Sequence, residues 1–167
     1  MNRGFTLVEA LVAVAVLGIL ASVTITSPQQ QRRQLELESG LRRLRVGLDR
    51  GRMAAERSGE PCGLSLTASG WEQPRSGDLP GCKRATTSLA EIGSSQLLLH
   101  SNLPGTVRFT ANGLVLDGGL VVLAHPQLWQ RVCLVIGLPL GITRTGLYGA
   151  DPSQQLSSSH CQPAGVS

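Results

Sequence analysis

Aromatic side chains are nearly missing from this sequence: two Phe, two Trp and one Tyr among 167 residues. Any core must therefore be built from Leu, Val and Ile, and Trp71 and Trp129 are expected to anchor it rather than to face a partner. Charge is also sparse, at 16%, yet hydrophobic content of 41% excludes a chain that is disordered throughout. No CxxC pair occurs, and the four cysteines are separated by 20, 51 and 28 residues, which argues against a zinc site or a dithiol redox motif. A GxSxG elbow, a GxGxxG turn and a GxxxxGK[ST] phosphate loop are all absent. His100, His125 and His160 have no metal-ligand spacing and are expected as ordinary surface or core residues. No catalytic residue, metal or cofactor is expected, which leaves a non-enzymatic protein.

What is present begins with an apolar run that contains one acid. From Phe5 to Ser27 the only ionisable side chain is Glu9. A carboxylate costs roughly 2.5–3.5 kcal/mol at the centre of a spanning helix and less near its end, so a partner for it has to be found. As a helix, residues 5–27 reach about 34 Å, enough to cross a hydrocarbon core of roughly 30 Å. A plain signal anchor fits that length. A cleaved secretory signal fits it less well, because no A-x-A site closes the run. Neither explains Glu9.

Arg3-Gly4-Phe5-Thr6-Leu7-Val8-Glu9 resembles the N-terminal signal of type IV prepilins and type II secretion pseudopilins. The resemblance implies a leader of residues 1–4, cut by a membrane peptidase between Gly4 and Phe5, with N-methylation of Phe5. Glu9 then stands fifth in the mature chain. The resemblance implies that its carboxylate pairs with the N-terminal amine of a neighbouring subunit in an apolar filament core, where an unpaired charge is heavily penalised. Topology carries a conflict. Eight arginines fall between Arg32 and Arg57, and the positive-inside rule puts such a segment in the cytoplasm. The resemblance puts the N terminus inside and the C-terminal domain outside.

Beyond the span, Leu37, Leu41, Leu44 and Leu48 step by four, three and four, the stripe of an amphipathic helix over residues 28–59. Pro28 is expected to bend this helix, the stretch Gly18 to Pro28 to loosen, and Gly40, Gly47 and Gly51 to weaken it further. After Pro61 the pattern changes to short aliphatic strands: CGLSLTA, SQLLLHS, TVRFTA, GLVLD, GLVVLAH and QRVCLVIG. Asn112-Gly113 should turn TVRFT back onto LVLD as a hairpin. Residues 72–94 read as a long surface loop, and the polar tail from Asp151 would fray unless Cys161 held it. An even cysteine count outside the cytosol favours two disulfides over four thiols. Three pairings are open. Cys62 with Cys82 and Cys133 with Cys161 is the expected one, each closure contributing about 3 kcal/mol in the chain-entropy account.

The order of a long helix, Trp71, VRFTANGLVLDGGLVVL and QRVCLVIGLPLGITRTG is similar to the FimT and H-type pseudopilin family. That resemblance implies an α+β, pilin-like fold, with the long N-terminal helix, membrane-spanning in its first half, packed on a C-terminal antiparallel β-sheet domain. The expected divisions are a leader at 1–4, a transmembrane and filament-core helix at 5–27, an extramembrane helix at 28–59 and a β domain at 60–167. The implied role is a minor pilin or pseudopilin of a type IV pilus or a type II secretion pseudopilus, held in the inner membrane with its C-terminal domain on the periplasmic side. Its implied partners are other pilins or pseudopilins, a prepilin peptidase, an inner-membrane assembly platform and membrane lipid. Two rivals stay open: a DNA-receptor pilin and an anchored β domain unrelated to filaments. Some relatives bind DNA through a G-R-x-R element, but Gly141-Ile142-Thr143-Arg144 keeps only its first and last residues. Arg108, Arg131 and Arg144 are the candidate DNA contacts, supported if they share one face of the β domain.

Overall fold

The computed structural model describes residues 6–22, 28–75, 77, 79–89 and 96–163. The chain divides into two compact units, Met1–Arg32 and Arg33–Ser167. In the first, helix α1 spans Leu7–Ser22. Helix α2 spans Pro28–Ser58. Pro28, expected to bend a continuing helix, is instead the first residue of α2, where its missing N–H leaves no bond unmade and its fixed φ is already helical. Of the segment expected to loosen, Gly18 to Ser22 is helical, and residues 23–27 lie outside the described residues. At the other end of α2, Gly59 takes φ +64° and donates its N–H to the Ala55 carbonyl at 3.0 Å, a left-handed cap that glycine adopts without a Cβ clash.

Among the described residues nine strands follow: β1 (Cys62–Thr67), β2 (Gly70–Glu72), β3 (Thr87–Ser88), β4 (Leu98–Ser101), β5 (Val107–Phe109), β6 (Gly119–Ala124), β7 (Arg131–Gly137), β8 (Ile142–Tyr148) and β9 (Cys161–Gln162). They form two antiparallel sheets, ordered β3-β2-β1-β5 and β4-β6-β7-β8-β9. The architecture is α+β, with the α2 stripe laid on both sheets. Leu37, Leu44, Leu48 and Ala55 of α2 share one buried cluster with Leu64 and Trp71, with Val107 and Phe109, and with alternate residues of β6 and β7.

The glycines expected to weaken α2 lie on this buried face. A Cβ at Gly47 would stand 2.0 Å from Trp71 Cδ1, one at Gly51 2.7 Å from Phe109 Cζ, and one at Gly40 2.9 Å from Leu97 Cδ1. Helix propensity is given up so that two of the five aromatics can reach the helix backbone. Trp71 uses that approach to donate its indole N–H to the Leu44 carbonyl at 2.8 Å. Trp71 and Phe109 are both fully buried in this contact.

The second sheet is covered on both sides. Val121, Leu123, Val132, Leu134 and Ile136 face α2, while Leu120, Val122 and Cys133 join Tyr148 and Cys161 in a separate cluster. The C-terminal tail closes that second face. The disulfide Cys133–Cys161 holds it to β7, β9 pairs with β8, and the Tyr148 hydroxyl accepts the Ser157 N–H at 3.3 Å. A sheet buried on both faces explains why β6 and β7 read as continuous apolar runs rather than alternating ones.

Several expectations need correction. GLVLD is no strand. Asn112-Gly113 does turn the chain, with Gly113 at φ +72°, but only Val115 makes a bridge, to Phe109. The ladder stops because the Asp117 carboxylate, not a backbone carbonyl, takes the Arg108 N–H at 3.0 Å. Val115 meanwhile donates to Pro139 O in the β7–β8 connection at 2.8 Å. Residues 72–94 are not a plain surface loop: they contain β3, and Cys82, Ala85 and Leu89 are buried. Trp129 is not in the core, being 86% exposed in the β6–β7 connection. ITRTGLY was not expected as a strand, yet it forms β8.

Candidate functional site at the N-terminal helix

The described residues begin at Thr6, so Gly4 and Phe5, the expected cleavage and methylation positions, lie outside them. Thr6 opens α1. Its hydroxyl accepts the Glu9 N–H at 3.4 Å and its carbonyl accepts the Ala10 N–H at 3.2 Å. Those bonds define an N-cap, and they put Glu9 at the third helical position, the spacing of a capping box. An acid is favoured there, because the first-turn N–H groups have no partner and the helix dipole is positive at that end. The T-x-x-E pattern was the signal for this cap, and it passed unread beside the larger question of the buried charge.

The rest of the exposed α1 surface is apolar. Leu7, Val8, Leu11, Val12, Val14, Val16 and Leu17 are each at least half exposed. At 100° per residue these seven positions encircle the helix and leave no polar stripe. Such a cylinder needs an apolar environment on every side, either lipid or other apolar helices. Among the described residues, no helix is long and apolar enough to cross a membrane. The 16 residues of α1 reach about 24 Å, short of the roughly 30 Å of a hydrocarbon core.

The remaining predicted residues lie in the second unit. Cys62 is bonded to Cys82 and Cys133 to Cys161, and no cysteine is free. The three arginines are not gathered on one sheet. Arg108, on β5, forms a two-point ion pair with Asp117, Nε to Oδ2 and Nη2 to Oδ1, both at 2.8 Å. The guanidinium, together with the Arg108 backbone N–H, holds the Asp117 carboxyl below the ordinary carboxylate range. Arg131 and Arg144 lie on the other sheet, in β7 and β8. By strand alternation both project from the face opposite α2, since Arg144 pairs with Val135. Arg131 donates to Ala150 O at 2.8 Å and Arg144 to Ser158 O at 3.3 Å, so both also help to hold the tail. His125 is buried: its Nδ1 accepts the Gln127 N–H at 3.1 Å, and its Nε2 stands 3.8 Å from Glu36. His160 packs edge-on against Tyr148.

The site is thus an apolar helix opened by a capping residue, with its one acid in the first turn. The family model of the prokaryotic N-terminal methylation motif matches residues 1–25, a match that supports a type IV pilin-like N-terminal segment. Membrane or pilus association goes with that motif. Comparisons with curated proteins and with solved structures found no match.

Proposed function

We propose that the chain is a minor pilin or minor pseudopilin, a non-enzymatic subunit that primes, caps or decorates a type IV pilus or a type II secretion pseudopilus. The peptidase removes residues 1–4, and Phe5 becomes the methylated N terminus. Residues 5–27 hold the subunit in the inner membrane before assembly and enter the filament core afterwards. Residues 28–59 and the β domain at 60–167 stand on the periplasmic side. One observation carries this reading: residues 1–25 match the methylation motif, and the acid of that motif is the sole ionisable group of an otherwise wholly apolar helix.

Mechanically, the apolar helix supplies non-directional attraction and Glu9 supplies register. A carboxylate meeting a neighbour's Phe5 ammonium is neutralised, whereas a subunit out of register leaves two unpaired charges in an apolar core. The even pairing of four cysteines supports an oxidising compartment for the β domain. The DNA-receptor reading gains nothing from Arg108, whose guanidinium is occupied by Asp117.

The test is Glu9→Gln. The variant should be cut and anchored like the unaltered chain, since an amide is cheaper in hydrocarbon than a carboxylate. The fraction recovered in sheared filaments should collapse. Equal ratios of membrane pool to filament for both chains would remove the mechanism, and an intact Met1 terminus by mass spectrometry would remove the class of protein.

A further inference from the structure

A groove of about 510 Å3 runs between the C-terminal turns of α2 and the loop closed by the Cys62–Cys82 disulfide. Four cations line it: Arg50 and Arg57 from the helix, Lys83 and Arg84 from the loop. Among the described residues Glu60 is the one acid in its wall, so these side chains carry a formal charge of 4 − 1 = +3. Among the described residues, none of the four cations has a carboxylate within 4.0 Å. Arg84 adds backbone strain, because it is the one non-glycine residue with positive φ among the described residues, at +58°. A long, charged side chain held in that conformation beside like charges is not what fold stability alone selects.

The lining is not purely ionic. Met53, Ala54, Pro61 and Pro80 supply apolar wall between the charges, and no aromatic residue is present. Nucleic-acid grooves that track a single strand rely on aromatic stacking, which this one lacks. Arginine and methionine around a partly apolar cleft are instead typical of protein-recognition surfaces. We propose that this groove is a docking site for an extended acidic segment of a partner protein, with carboxylates on the cationic rim and small apolar side chains on the wall. Two of this chain's acids are already held elsewhere, Asp117 by Arg108 and Glu72 by Ser69, Thr67 and Arg75. The proposal does not depend on filament entry, because both walls of the groove belong to the unit Arg33–Ser167.

The test uses the full chain in detergent micelles and fluorescence anisotropy. The probe is a labelled nine-residue peptide of three Glu-Leu-Ala repeats, and its control carries Gln in place of Glu. The acidic peptide should bind at least tenfold more tightly than the control, and binding should weaken as salt rises from 50 to 300 mM. Arg84→Gly should lower affinity by roughly three- to tenfold while leaving the fold intact, since glycine accepts the positive φ. Lys83→Glu should lower it further, and Arg75→Gln, outside the groove, should leave it unchanged. Equal binding of the two peptides, or indifference to both groove variants, overturns the proposal. It is also overturned if inorganic phosphate, a 20-nucleotide single strand or phosphatidylglycerol vesicles bind more tightly with the same sensitivity to Arg84→Gly, since the groove would then take phosphoryl groups.

Discussion

Adding one methyl group to α2 separates tertiary packing from helix propensity. In an isolated helix, Gly47→Ala should stabilise by about 1 kcal/mol. In this fold the new Cβ would stand 2.0 Å from Trp71 Cδ1 and 2.7 Å from its Nε1, and Trp71 is 1% exposed. Neither ring nor helix has room to yield, so overpacking should cost roughly 1–3 kcal/mol. Moving the ring also stretches its 2.8 Å bond to Leu44 O, and a buried indole N–H left unpaired costs about 1–3 kcal/mol more. Set against the propensity gain, the net loss is about 1–5 kcal/mol, or a melting temperature lower by roughly 3–20 °C for a domain of this size. Near-UV circular dichroism in a Trp129→Phe background would follow Trp71 alone, because those two are the only tryptophans. The control is the same change in a Trp71→Leu chain, where the steric term vanishes and alanine should be neutral or better. If Gly47→Ala melts at or above the unaltered chain, with an unchanged Trp71 signal, the reasoning about the helix–sheet contact is refuted.

Three further outcomes follow from particular contacts. Asp117→Asn should destabilise by about 1–2 kcal/mol at pH 7, the discounted worth of a two-point ion pair whose arginine is half exposed. Because the folded Asp117 carboxyl lies below its unfolded value of roughly 3.9, its contribution is complete above that pH and is lost as pH falls further; denaturant titrations should show the two chains converging in acid, and a constant gap down to pH 2 would contradict this. Replacing Cys133 and Cys161 together by Ser should cost about 3–4 kcal/mol for the 28-residue closure and expose the tail after Gly149 to limited proteolysis, with an uncut tail counting against the disulfide as its tether. Gly4→Val should leave the leader attached and the higher-mass precursor in the membrane, whereas normal processing would exclude cleavage at Gly4–Phe5.

Much of the fold was legible because it rests on local pattern. The leucine stripe of α2, the glycine that ends it, and the aliphatic runs of β1, β4, β5, β6 and β7 all carry their own periodicity. What was illegible depends on distant partners. β8 alternates Thr143 and Thr145 with Arg144 and Gly146, and it reads as polar until the tail that covers it is in place. β9 has two residues, and pairs only where the disulfide brings Cys161 beside Tyr148. LVLD has a strand's composition but keeps just a short ladder, Thr110 N–H to Leu114 O and Leu116 N–H to Arg108 O, because the side chain of Asp117 takes the Arg108 N–H that the next bond needs. The glycines of α2 look like defects in the sequence and become contacts only once Trp71 and Phe109 are known to lie against them. At the N-terminal site the acid was found by its improbability, while the Thr6 cap, a weaker and commoner signal, was passed over.

That cap bears on why the acid is there at all. An anion in the first turn of a helix gains about 0.3–1 kcal/mol from the dipole and the unpaired N–H groups. A carboxylate near the end of a spanning segment costs somewhat less than the roughly 2.5–3.5 kcal/mol of the bilayer centre, but still more than that gain. Capping alone therefore does not account for Glu9 in apolar surroundings, and Gln at the same position would cap as well, since it also serves in the box. What Gln cannot supply is charge. The residual cost is offset only by a cation of comparable desolvation, and from Phe5 to Ser27 the sequence holds none. Under the proposed cleavage that cation is a freed N terminus, the chain's own or a neighbouring subunit's. Both are conditions of assembly rather than of folding, and this is why Glu9→Gln separates the two without disturbing the helix.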